Sequence, residues 1–137
     1  MKLTRQLLLA LLAGLLVTVG GLVAPLLFVG LDDRALAGRM AGQLFHVTNL
    51  LTLVLVLMVV ALGALRQTDP CGRAMLLAPA VLLGASECLI RPLLETEKVA
   101  HGTQTLAFAQ WHGVSSLLYA LATVAAVTAL VQALRRR

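Results

Sequence analysis

Glu87, Cys88 and Arg91 fall within five positions of a segment, Leu82 to Pro92, that is otherwise apolar or small. A carboxylate, a thiol and a guanidinium so placed can hold a proton, a metal ion or a polar solute, or can simply neutralise one another. Two other short sets carry comparable chemistry. His46 and Asn49 are three residues apart, and His112, Ser115 and Tyr119 follow the spacing i, i+3, i+7. On a helix each set lies along one stripe. His46 and His112 are candidates for axial ligation of a haem, or for a metal ion shared with Glu87. No HxxxH or CxxC spacing accompanies them, and no cofactor is predicted. A nucleophilic pair drawn from Ser115 or Ser116 with His112 would lie within one helix and lacks a GxSxG elbow. The expectation is a protein that is not an enzyme.

The elements that must position these residues follow from composition. The chain has 137 residues, enough for one domain. Hydrophobic residues make up 60% and charged residues 12%, against roughly half and a quarter in a soluble domain. A core of this size cannot hide that excess. Gln6 to Leu31, Met40 to Leu65 and Val99 to Leu134 are uncharged, and Ala74 to Ile90 carries only Glu87. A bilayer core needs about 20 apolar residues as helix. The reading is an all-α membrane protein, a bundle of four transmembrane helices in a single integral membrane domain, 1–137. The helices are expected at about 6–30, 37–65, 73–92 and 105–134. The first resembles a signal peptide, with Lys2 and Arg5 in front and "ALA" at 35–37. Its apolar run far exceeds the roughly 7–15 residues of such a leader, so a retained helix is expected.

Charge sets the expected orientation. The net charge is +5. Lys2, Arg5, Arg66, Arg73 and Arg135 to Arg137 lie on the side of the two termini, and Arg34, Arg39, Arg91 and Lys98 on the other. That bias puts both termini in the cytoplasm of a bacterial cell, with the chain in the inner membrane. Arg135 to Arg137 read as an anchor on anionic lipid; nothing reads nucleic acid. Cys71 and Cys88 would stand roughly 25 Å apart along one helix, too far for a disulfide. Gly14, Thr18, Gly21 and Pro25 form a small-residue seam for close helix packing, with a bend at Pro25. The run "LTLVLVLMVVALGAL", residues 51–65, reads as lipid-facing.

Counted from the cytoplasmic helix ends, the three polar sets share a depth. Glu87 stands roughly 21 Å up, Arg91 and Asn49 roughly 25–27 Å, Tyr119 roughly 24 Å, and His46, Ser115 and His112 roughly 30–34 Å. Intramembrane ionisable groups are costly unless they face the bundle and find partners. The expectation is therefore one polar pocket in the outer half, lined by His46, Asn49, Glu87, Arg91, His112, Ser115 and Tyr119. A competing reading leaves Glu87 and Arg91 to neutralise each other, with Arg91 reaching the interface.

Residues 19–42, "VGGLVAPLLFVGLDDRALAGRMAG", resemble a bacterial family known as domain of unknown function 4149, through Gly20, Gly21, Ala24, Pro25, Phe28, Ala37 and Gly38. Phe108, His112, Ser115 and Tyr119 of "FAQWHGVSSLLY" are similar to the pattern on its last helix. The resemblance implies four membrane helices and a relation to eukaryotic transmembrane-protein-205-like proteins linked to metal or platinum-drug tolerance. Together these readings point to a small inner-membrane protein acting as an accessory subunit or a handler of small solutes or metals. Its partners would be the lipid bilayer, other membrane proteins or a homo-oligomer. The alternatives are a haem- or metal-binding redox protein using His46 and His112, and a structural partner of a larger membrane complex.

Overall fold

The computed structural model describes residues 2–135, and among them every regular element is helical. Four helices are long and apolar enough to cross a membrane: α1 Lys2–Gly30, α2 Arg34–Ala61, α3 Pro70–His101 and α4 Leu106–Arg135. Each boundary has a local cause. Asp33 starts α2, its Oδ1 accepting from the Ala35 and Leu36 amides at 2.8 and 3.1 Å. The Thr105 hydroxyl does the same for α4, accepting from the Phe108 amide at 3.1 Å. Gly63, at φ 76°, leads out of α2 into a short 3₁₀ turn, Ala64–Gln67, in a conformation that glycine adopts without strain.

Helix α3 continues well past Pro92, where the sequence reading ends it, and the cause is a local widening of the backbone. Ser86–Ile90 is a π-turn whose closing bond runs from the Arg91 amide to the Ser86 carbonyl. Pro92 sits in the first turn of the helical segment beyond it, where a missing amide is harmless. Helix α1 repeats the device. Val19–Val23 is a π-turn closed by the Ala24 amide on the Val19 carbonyl, and Pro25 follows in the first turn of Ala24–Gly30.

Both chain ends lie at one end of the bundle, where Gln6 Nε2 donates to the Ala133 carbonyl at 3.0 Å. This is the terminal end; the links at 31–33 and 102–105 form the loop end. The core fills the terminal half: Leu9, Leu12 and Leu16 from α1, Val56 and Val59 from α2, Leu76 and Leu83 from α3. Against them α4 lays Ala122, Ala126, Ala129 and Ala133. The small residues that let helices approach are therefore on α4. The seam expected on α1 is not used within the chain: Gly14, Thr18, Gly21 and Pro25 are all exposed. The buried stripe of α1 is Arg5, Leu9, Leu12, Leu16 and Val19, a heptad-like spacing that larger side chains occupy. The run at 51–65 is likewise no plain outer face, since Thr52, Leu55, Val56 and Val59 are buried. Cys71 and Cys88 are free and exposed.

Candidate functional site

Glu87 lies inside the π-turn of α3 and points toward α2. Its Oε2 accepts from His46 Nδ1 at 2.7 Å and from Arg91 Nη1 at 3.0 Å. Its Oε1 accepts from Asn49 Nδ2 at 2.8 Å. The i, i+3 spacing of His46 and Asn49 places both donors on the face of α2 that meets α3, and Arg91 reaches back one turn along its own helix. Four of the seven expected residues thus form one knot, and Glu87 is partnered across helices as well as by Arg91. Burial is graded. The Glu87 side chain is 13% exposed, whereas His46 and Arg91 are 38% and 36% exposed.

An ionised carboxylate only accepts, so against it His46 Nδ1 carries the hydrogen and Nε2 is left for another partner. The ring geometry turns Nε2 away from Glu87. This is the arrangement by which a carboxylate fixes a histidine tautomer beside a ligand. The cluster therefore offers the second ring nitrogen of His46 and further donors on Arg91, with the negative charge matched by Arg91.

The other three expected residues go elsewhere. Ser115 Oγ pairs with Ser86 Oγ at 3.0 Å, clasping α4 to the π-turn of α3. Tyr119 donates from its hydroxyl to the Leu16 carbonyl at 2.9 Å, a clasp between α4 and α1. Its ring meets Phe45 edge-on with centroids 4.8 Å apart and lies over Gly20, where a Cβ would come within 2.5 Å of Cε1. His112 does not join the cluster. It is exposed, and its ring stacks on Phe108 at 6.1 Å. The shared stripe with Ser115 and Tyr119 is real, but Ser115 and Tyr119 spend it on Ser86 and on the Leu16 carbonyl, and His112 is left exposed.

Four buried polar residues escaped the sequence reading, Thr48 beside Asn49 among them. Ser86 belongs to the opening segment but was passed over for its charged neighbours. Thr52 was hidden in an apolar run. Arg5 is buried and lines a cavity of about 20 Å³ at the terminal end with Thr68 and Gln132, room for one water. Its place in the stripe Arg5, Leu9, Leu12, Leu16 was the available signal.

Residues 7–96 match the family model described as domain of unknown function (DUF4149), which covers more than half of the chain. The chain belongs to this family. The matched region contains the whole Glu87 knot, while His112, Ser115 and Tyr119 lie beyond it. No curated protein and no solved structure matches the chain.

Proposed function

We propose that this DUF4149 chain is a non-enzymatic protein of the bacterial inner membrane that holds the polar head of a small solute at the Glu87 knot. Both termini are in the cytoplasm in this reading, so the knot lies in the outer half of the bundle, reached from the lipid interface. One observation supports it above the others: a nearly buried carboxylate held by His46, Asn49 and Arg91 while His46 and Arg91 stay about a third exposed. A pair serving only to neutralise charge needs no imidazole and no amide. Ionisable groups at membrane depth mark functional sites by default.

The donor set favours a hydrogen-bonding solute over a metal ion. His46 and Glu87 are in contact, but among the described residues no group of three or more His, Cys, Asp or Glu side chains is gathered. A metal handler would have to borrow ligands from a second protein, which is the form an accessory subunit would take.

Purification in mild detergent, with mass spectrometry for bound small molecules, metals and proteins, tests the reading. Glu87→Gln should strip the retained solute while Glu95→Gln, on the exposed segment beyond Pro92, should not. Equal retention by both variants refutes it. The orientation is checked separately: a reporter fused after Arg137 should read cytoplasmic, and a periplasmic readout moves the knot to the opposite membrane face.

A further inference from the structure

Asn49 and Thr52 are three residues apart on α2 and both are buried, 5% and 0% exposed. The Asn49 amide is oriented by Glu87: with Nδ2 on Oε1 at 2.8 Å, a flipped amide would set two oxygens against each other. Asn49 Oδ1 is therefore turned away from the carboxylate, and it is buried with no hydrogen-bond partner among the described residues. Thr52 Oγ1 is in the same condition.

Several other hydroxyls of this bundle turn back onto their own helix. Thr123, Thr128, Ser116 and Thr96 each donate to the carbonyl four residues back, at 2.8–2.9 Å. Thr52 has the Thr48 carbonyl equally available and does not use it. A buried hydroxyl that declines its own helix, one turn from a buried amide oxygen with no partner, marks a position where a third group supplies the hydrogen bonds.

We propose that Asn49 Oδ1 and Thr52 Oγ1 hold one buried water molecule beneath the Glu87 knot. Residues at i and i+3 have Cβ atoms about 5–6 Å apart, a gap that a water with hydrogen bonds of about 2.8 Å spans. Water donates to Oδ1 and either donates to or accepts from Oγ1. A cation in the same place would add a charge with no counterpart, because Glu87 is already matched by Arg91 and held by His46. The polar line then runs from Arg91 through Glu87, Asn49 and the water to Thr52, toward the middle of an otherwise apolar bundle. This assignment does not depend on what the knot binds.

The full-length protein in a lipidic crystal, at a resolution that orders water, tests the assignment directly. Native protein and Thr52→Ser should show a density peak about 2.7–3.2 Å from both oxygens, and Thr52→Val should lose it. Valine keeps the shape of threonine without its hydroxyl, so the Thr52→Val variant should also melt about 3–5 °C lower in detergent. A native structure without the peak overturns the proposal. So does a Thr52→Val protein that melts at or above the native temperature, since removing a dry, unsatisfied hydroxyl helps. A peak ringed by six or more oxygens at about 2.3–2.6 Å would be a metal ion and would also refute it.

Discussion

The terminal half of the bundle and the loop half are closed by different forces, and α4 crosses both. Toward its carboxyl end, α4 sends Ala122, Ala125, Ala126, Ala129 and Ala133 into a core of leucine and valine. From Leu106 to Leu121 the same helix has no buried residue, and it is held by the Ser115–Ser86 and Tyr119–Leu16 hydrogen bonds. Neither does α3 bury a residue from Arg91 to His101. Between helices in lipid there is no hydrophobic drive, so packing and hydrogen bonds are what remain. Packing gives strength where small and large side chains interlock. Hydrogen bonds give direction where they do not, and they leave side chains such as His46 and Arg91 partly uncovered. The half that packs well is the scaffold, and the half that does not is where the proposed solute would be met.

If that division is right, the largest effect comes from overfilling the alanine face. Ala126→Leu should destabilise the protein by about 1–3 kcal/mol, whereas Ala109→Leu, on the exposed part of the same helix, should change it by less than about 0.5 kcal/mol. Unfolding in mixed micelles measures both, and equal losses would erase the contrast. Gly20→Ala comes next. Its Cβ meets the Tyr119 ring, so the ring must shift and its hydroxyl must leave Leu16, at about 1–2 kcal/mol; an unchanged tyrosine signal in near-ultraviolet circular dichroism would contradict this. Ser115→Ala is the smallest, about 0.6 kcal/mol. A loss several times larger would show that the loop half hangs on that single clasp.

That Glu87, His46 and Asn49 face one another was legible because it rests on helical spacing, which is robust to local detail. His112 falls outside the knot for the complementary reason: a stripe shared with Ser115 and Tyr119 says which residues are neighbours along α4, not which of them finds a partner on another helix. The packing seam was sought among the glycines of α1 because glycine is conspicuous, yet Gly14 and Gly21 face outward and Leu9, Leu12 and Leu16 face in. Alanine does the close packing on α4, and in "ALATVAAVTALVQAL" its period is drowned by equally apolar neighbours. The extension of α3 beyond Pro92 was not readable because proline ends a regular helix and the sequence does not announce a π-turn. In hindsight the two turns share a form, five residues, one spacer and a proline, in "VGGLVAP" and "SECLIRP".

A π-turn amounts to one residue spliced into an α-helix, and in an α-helix one residue is about 100° of rotation. The π-turn absorbs that rotation by widening, so taking a single residue out of Ser86–Ile90 would restore a regular α-helix whose outer segment keeps its facing. The side chains of the turn itself would be re-aimed, and Pro92 would be thrown back onto a carbonyl it now avoids. The knot is thus specified by a count as much as by the identity of its members. Among homologous chains, a gap of one position in this stretch would be a change in the turn that carries Glu87, though every polar residue were still present.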